Sequence, residues 1–166
     1  FQTQHGYHFT DTMFLSVGEF GFRDDMENGP GSWTHSGPID LWHLTAHRKH
    51  SGNYSWYCGE EGTFHYQNNM SDTLESLPVV VDRNAKLSFW CWYEFPNYDT
   101  DGLYVEIGDS SGWRTLDFIG SGGALGILTT GNDWLEYTYD LSDYPIGSSL
   151  RVRFRFASDN SGSAEG

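Results

Sequence analysis

Three histidines that lie near one another come closest to a chemical motif in this sequence. His43 and His47 are four residues apart, which is the spacing of the two zinc ligands on a metalloprotease helix, and His50 follows them. The motif also needs a glutamate directly after the first histidine, as general base, and a helix that puts both rings on one face. Leu44 occupies the place of the glutamate, and the flanking residues have the pattern of a strand and a turn. The histidines are therefore predicted to be structural.

Two further patterns suggest hydrolytic chemistry. Residues 108–112 have the Gly-x-Ser-x-Gly spacing of a nucleophile elbow, which needs a strand before the serine and a helix after it. A second strand pattern follows here instead, so the segment is predicted to be a hairpin turn. Paired carboxylates could supply the acid and the base of a glycosidase, but carboxylates at turns are expected in so acidic a chain. We therefore expect no enzymatic activity.

The composition restricts the partners. The 166 residues include 23 acidic and 9 basic side chains, which gives a net charge of −14. Such a chain repels phosphate backbones and anionic lipid, and no apolar run approaches the ~20 residues of a membrane span, so neither nucleic acid binding nor membrane insertion is expected. Aromatic residues make up 17% of the chain. A core of this size needs fewer, so some rings are expected on the surface, in contact with a ligand.

Short alternating or aromatic segments, separated by clusters of Gly, Asn, Asp and Ser, predict an all-β chain. In the last segment Val152, Phe154 and Phe156 alternate with arginines, so one face of that sheet is buried and the other is exposed. Because no crossover helix is available, the fold class is predicted to be a two-sheet antiparallel β-sandwich. The predicted strands are 40–44, 54–58, 73–81, 86–95, 102–107, 114–118, 135–140 and 150–157.

The domain boundary is predicted near Phe22. Residues 23–166 form the sandwich, and residues 1–22 form an N-terminal extension. The extension has a strand-like segment of its own, in which Met13, Leu15 and Val17 alternate with residues that include Thr12.

Two sets of side chains are candidates for structural or binding roles. Cys58 and Cys91, the only cysteines, each lie in an aromatic strand pattern, which suits either a disulfide or two buried thiols. Tryptophans near predicted turns could stack on sugar rings, although the alternative is that they are core or capping residues. These candidate ligand-binding residues are Trp33, Trp42, Trp113 and Trp134.

Several landmarks occur in a defined order along residues 24–166. They are Asp24-Asp25-Met26-Glu27-Asn28-Gly29, Leu41-Trp42-His43-Leu44-Thr45, His50-Ser51-Gly52, Ser55-Trp56-Tyr57-Cys58-Gly59, the segment 87–93, Asp101-Gly102 with Tyr104-Val105-Glu106, Asp140-Leu141-Ser142 and the segment 151–156. Their order and spacing resemble the jelly-roll accessory domain of immune inhibitor A-like secreted metalloproteases, which is itself similar to MAM and gingipain cleaved-adhesin domains. The resemblance implies a secreted jelly-roll β-sandwich without a catalytic site.

The resemblance also implies a structural calcium ion. Similar jelly rolls hold calcium between the first strand and the final one, which implicates Asp24 and Glu27, with Asp159 as a further ligand. Carboxylate and carbonyl oxygens are the ligands that calcium prefers.

One departure from the family concerns the last strand. After Ser158-Asp159 the family continues with an aromatic strand that ends in paired aspartates, and this sequence has no such strand up to Gly166. Either the sequence is part of a longer chain or the sandwich has an open edge, where each unmet backbone group would cost ~1–3 kcal/mol. A segment of the same chain, another copy or a separate proteolytic chain would then fill the edge. The predicted strand-donating residues are Thr12, Met13, Leu15 and Val17.

The leading interpretation is a secreted interaction or assembly module that associates with another copy of itself, or with the rest of its precursor, by strand addition into a fibre or surface structure. A carbohydrate-binding module is the first alternative. An accessory domain or processed fragment of a secreted protease is the second.

Overall fold

The structure, a computed structural model, describes residues 22–95, 101–120 and 130–166. These residues form ten strands and no helix, so they contain no helix able to cross a membrane. The predicted strand-donating residues Thr12, Met13, Leu15 and Val17 lie outside the described residues, and their role stays a prediction. The strands are β1 (Trp33–Ser36), β2 (Trp42–Thr45), β3 (Ser55–Cys58), β4 (Ser71–Ser76), β5 (Val79–Val80), β6 (Lys86–Cys91), β7 (Gly102–Asp109), β8 (Gly112–Gly120), β9 (Leu135–Asp140) and β10 (Ser149–Ala157).

The main sheet has the strand order β1-β4-β10-β7-β8, and the short β5 also pairs with β10. All of its pairings are antiparallel. The predicted alternation of β10 is what places it at the centre, since Phe154 lies opposite Leu74 of β4 and Val105 of β7. These apolar residues face the core, and the arginines of β10 face outward.

The second layer consists of two separate two-stranded sheets. β2 pairs with β3, and β6 pairs with β9, both antiparallel. The core lies between the layers: the rings of Phe89 on β6 and Phe154 on β10 meet edge to face with centroids 4.8 Å apart. The hydroxyl of Tyr139 on β9 donates a hydrogen bond to Asp117 on β8 at 2.9 Å. The predicted all-β antiparallel sandwich is therefore confirmed.

The strands differ from the prediction chiefly in three places. Strand β1 was not predicted, the predicted strand 73–81 is divided into β4 and β5, and the predicted strand 86–95 ends at Cys91. Leu77 and Pro78 separate β4 from β5, because proline has no N–H to donate to a ladder. The Gly-x-Ser-x-Gly segment joins β7 to β8 as the predicted hairpin, in which Gly112 takes a φ of +127°.

The two cysteines are free thiols, which corrects the predicted disulfide. Cys58 lies at the end of β3 and Cys91 at the end of β6, on two sheets that share no ladder. Burial raises the pKa of Cys91 to about 12 and raises that of Cys58 well above its ordinary value. Of the two possibilities that the sequence left open, the structure has the buried thiols.

Residues 164–166 pair with the segment after β3. Ala164 accepts a hydrogen bond from the amide of Tyr66 at 3.1 Å, and the amide of Gly166 donates to Phe64 at 3.1 Å. An antiparallel bridge joins Glu165 to His65 between them.

Candidate functional site

Trp33 and Trp42 are structural residues, which corrects their predicted ligand-binding role. Trp42 is only 8% exposed, and its indole N–H donates to the backbone oxygen of Asp72 at 3.2 Å. Trp33 packs against the core beside Phe154, and its indole N–H donates to Asp24 at 2.7 Å. Both tryptophans are therefore core or capping residues, which is the alternative interpretation of the sequence.

Trp113 lies on the outer surface of the main sheet, where arginines from β10 cover its ring. The guanidinium carbon of Arg153 is 3.9 Å from the ring centroid, and that of Arg151 is 5.0 Å away. Arg155 covers Tyr104 of β7 in the same way, at 3.8 Å. These rings are already stacked, so this surface, which we call the arginine face, offers little free aromatic area.

Glu106 holds the arginine face together. It is 4% exposed and accepts hydrogen bonds from Nε of Arg153 at 2.7 Å and from a terminal nitrogen of Arg155 at 3.3 Å. Burial alone would raise the pKa of Glu106, but the hydrogen bonds and charges of the two arginines prevail and lower it. The carboxylate is therefore ionised near neutral pH and supports the strand pairing of β7 with β10.

Trp134 belongs to an aromatic cluster that we call the aromatic platform, formed by His50, Trp90 and Trp134. The ring of His50 stacks on Trp90 at 4.1 Å and 9°, and it meets Trp134 edge to face at 6.0 Å. Trp90 is 44% exposed. An apolar cluster of this exposure is typical of a contact surface.

Sequence reasoning missed Trp90, although a signal for it was present. Along β6, Lys86, Ser88 and Trp90 are exposed and alternate with the half-buried Leu87, Phe89 and Cys91. The indole therefore points away from the core for the same reason that the ring of Phe89 points into it. Position in the strand, rather than nearness to a turn, identifies the exposed tryptophan.

Polar side chains surround the platform on the outer surface of the β6–β9 pair. Glu136 is the register partner of Trp90, and Thr138 is that of Ser88. The hydroxyl oxygens of Ser88 and Thr138 lie 2.9 Å apart, within hydrogen-bonding distance. An exposed ring beside hydroxyl and carboxylate groups suits a ligand that is apolar on one face and polar at its rim.

The candidate calcium ligands do not form a cation site as arranged. Asp24 accepts hydrogen bonds from the amide of Met26 at 2.8 Å and from the indole of Trp33. Glu27 accepts from the amide and the side chain of Asn53, at 2.7 and 2.9 Å, and these bonds lower its pKa. Because N–H donors occupy these carboxylates, calcium binding stays a prediction that this arrangement does not support.

Asp159, the third candidate ligand, contacts Asp101 through its backbone amide. Its amide donates to the buried carboxylate of Asp101 at 2.7 Å, and the hydroxyl of Tyr66 donates to the same carboxylate at 2.7 Å. Burial is the main reason that the pKa of Asp101 is raised. Across residues 22–95, 101–120 and 130–166, no three metal-ligating side chains come together.

The three histidines have separate roles. His43 lies on β2, and its Nδ1 is 2.9 Å from the backbone oxygen of Leu41. His47 stacks on Phe64, with centroids 3.4 Å apart, and its Nε2 is 2.6 Å from Glu165. His50 belongs to the aromatic platform. The zinc-ligand spacing thus falls on a strand and a loop.

Comparison with known proteins defines the fold. No protein-family profile matches the sequence, and no curated protein matches it. The K3 cleaved adhesin domain of Lys-gingipain from Porphyromonas gingivalis W83 is similar in structure, with a TM-score of 0.52 and 19% identity over 81% of this chain and 88% of that chain. The K1 cleaved adhesin domain of the same protein has a TM-score of 0.48 and 20% identity over 82% and 85% of the chains.

A third similar structure is that of carbohydrate-binding modules from the β-sandwich superfamily, and it concerns the structural basis of their promiscuous specificity. Its TM-score is 0.51, with 12% identity over 84% of this chain and 56% of that chain. The chain has the β-sandwich fold of these domains. The predicted likeness to gingipain cleaved-adhesin domains is thereby confirmed for the fold, and the likeness to immune inhibitor A-like proteases stays a prediction.

Proposed function

We propose that this chain is a secreted, non-catalytic module that binds carbohydrate through the aromatic platform. The observation that carries the proposal is the indole of Trp90, which is 44% exposed on the outer surface of a regular strand pair. Sugar rings have apolar C–H faces that stack on such indoles, and polar rims that hydrogen-bond to neighbouring hydroxyl and carboxylate groups.

The platform is fixed before a ligand arrives. Residues 86–91 pair with residues 135–140 along the whole of β6, and His50 supports one face of the Trp90 ring. A ring that is already held in place loses little conformational freedom on binding, so more of the contact energy contributes to affinity. The fold is also similar to that of carbohydrate-binding modules, which supports the proposal without deciding the ligand.

A glycan array, followed by calorimetry on the glycans that bind, tests this function. Trp90→Ala is expected to weaken binding by about tenfold or more, since stacking on an exposed tryptophan supplies much of the contact. Trp113→Phe is the matched control, because that ring lies under Arg153 on the arginine face. Absence of glycan binding by the wild-type chain, or full binding by a Trp90→Ala, Trp134→Ala double variant, would reject the proposal.

Self-association by strand addition is a second candidate, favoured by the divided second layer. Within the described residues β2 and β3 pair only with each other, as do β6 and β9, which leaves strand edges where a further strand could add. We propose the segment with Met13, Leu15 and Val17 as the donor.

Sedimentation experiments test this second candidate. Leu15→Pro should reduce assembly, because proline removes a ladder N–H, whereas Ser16→Ala should not. A wild-type chain that is monomeric at high concentration contradicts this candidate.

The interpretation as an accessory domain of a secreted protease rests on the resemblance in the sequence. A protease assay on the isolated chain should then show no activity, and the complete reading frame should encode a zinc-binding helix elsewhere.

A further inference from the structure

One carboxylate on the surface beside the aromatic platform has no partner of opposite charge among residues 22–95, 101–120 and 130–166. Glu136 lies directly opposite Trp90 on the outer surface of the β6–β9 pair, and opposite residues on one face have Cβ atoms about 4.5–5.5 Å apart. Its side chain is exposed and takes part in no ion pair or hydrogen bond with the described part of the chain. This carboxylate therefore lies beside an indole that is 44% exposed and that His50 supports on one face.

Two acidic residues of the main sheet form ion pairs with arginines. Glu106 contacts Arg153 and Arg155, and Glu75 contacts Arg151. On the same outer surface as Glu136, Asp140 is the register partner of Lys86. Glu136 thus differs from its neighbour on β9 in having an aromatic ring, and not a base, across the strand pair.

The basic residues nearest to the platform in sequence are directed elsewhere. The guanidinium carbon of Arg48 lies 3.5 Å from the ring centroid of Trp92, and Arg48 also pairs with Glu165 at 2.6 Å. The ammonium group of Lys49 donates to the backbone oxygen of Ala46 at 3.1 Å. With a net charge of −14, the whole chain attracts cations toward this surface.

We infer that the ligand of the platform is a glycan with unsubstituted amino groups. This inference rests on the proposed function and names its ligand class. The sugar ring stacks on the exposed side of Trp90, and the ammonium group at the rim of the sugar pairs with Glu136. An N-acetylated sugar keeps the stacking surface but loses the charge. The surface therefore distinguishes amino sugars from their acetylated counterparts.

Calorimetry with glucosamine oligomers, N-acetylglucosamine oligomers of equal length and neutral glucose oligomers tests the inference. The wild-type chain is expected to bind the glucosamine oligomer about tenfold more tightly than the acetylated one, with a preference that weakens as salt is added. Glu136→Gln is expected to remove most of that preference, because glutamine keeps a hydrogen-bonding oxygen and loses the negative charge. Asp140→Asn is the matched control and should keep the preference.

Three results would overturn the inference. Equal affinity for the amino and acetylated oligomers would show that charge has no role, while the proposed function would stand on the binding itself. An equal loss in Glu136→Gln and Asp140→Asn would show that the general charge of the chain, and not Glu136, attracts the ligand. Binding of none of the oligomers, together with an empty glycan array, would remove the proposed function as well.

Discussion

The indole of Trp113 and the guanidinium group of Arg153 lie against each other on the arginine face, with 3.9 Å between the guanidinium carbon and the ring centroid. Gly108 of β7 is the register partner of Trp113, and a Cβ atom added there would lie 2.8 Å from a carbon of the indole. The indole ring therefore packs between the backbone of Gly108, which has no side chain, and the guanidinium group of Arg153. This position explains why Trp113, although near a turn, stabilises the sheet.

Replacement of Trp113 by alanine should lower stability and leave glycan binding unchanged. The variant loses the stacking with Arg153 and Arg151 and uncovers Gly108, so we expect the free energy of unfolding to fall by about 2 kcal/mol. Urea denaturation followed by circular dichroism measures the change. Unchanged stability together with lost glycan binding would contradict the structural role.

Glu106 predicts a loss of stability in acid. Because its pKa in the folded chain lies below the ordinary value of 4.5, its ionised form stabilises the fold above that pH, and the contribution is lost as pH falls through the folded pKa. Glu106→Gln should lower the free energy of unfolding at neutral pH by about 3 kcal/mol, since two guanidinium groups lose their partner. Its stability should also fall less between about pH 5 and pH 3. If the free energy of unfolding falls equally with pH in the wild-type chain and in Glu106→Gln, the ion pairs of Glu106 with Arg153 and Arg155 do not stabilise the fold.

The two free cysteines should be unreactive in the folded chain. Burial raises the pKa of Cys91 to about 12 and that of Cys58 as well, so almost no thiolate is present near neutral pH. Iodoacetamide should therefore label neither thiol until urea unfolds the chain, as followed by mass spectrometry. A reductant should not change the melting temperature. A melting temperature that falls with reductant would instead support the disulfide.

Glu27 should anchor its loop without calcium. It accepts hydrogen bonds from the amides of Asn53 and Tyr54 and from the side chain of Asn53, so Glu27→Gln should lower the melting temperature. The decrease should be the same in calcium chloride and in a chelator, as measured by differential scanning fluorimetry. A wild-type chain that calcium stabilises, beside a variant that it does not, would restore the calcium prediction for Glu27.

Much of the sheet structure follows from alternation that can be read in the sequence. Val152, Phe154 and Phe156 were predicted to face the core, and all three pack in it. Strand β1 could not be predicted, because Thr34, His35 and Ser36 are all exposed and the segment is held at a sheet edge by β4. A strand that is held in place by pairing with its neighbour needs no alternating apolar residues, so its sequence has no strand pattern.

The candidate site was harder to predict for a related reason. The exposure of Trp90 follows from alternation along β6, whereas the cover over Trp113 comes from Arg153, which lies on β10. Contacts between strands far apart in sequence depend on the topology of the sheet. The structural roles of Trp33 and Trp42 could not be predicted for the same reason. Their indole N–H groups donate to Asp24 and to the backbone oxygen of Asp72, respectively.

The position of β10 between β4 and β7 also determines when the main sheet can form. β10 (Ser149–Ala157) is the last strand in chain order, yet it pairs with β4, β5 and β7, all of which precede it by a long stretch of sequence. Such non-local pairing is typical of domains that fold over milliseconds to seconds. During synthesis, Leu74 and Val105 lack Phe154, the β10 residue that lies between them in the sheet, until β10 has left the ribosome. Refolding is therefore expected to be a single slow step, in which the early strands become ordered together with the last one.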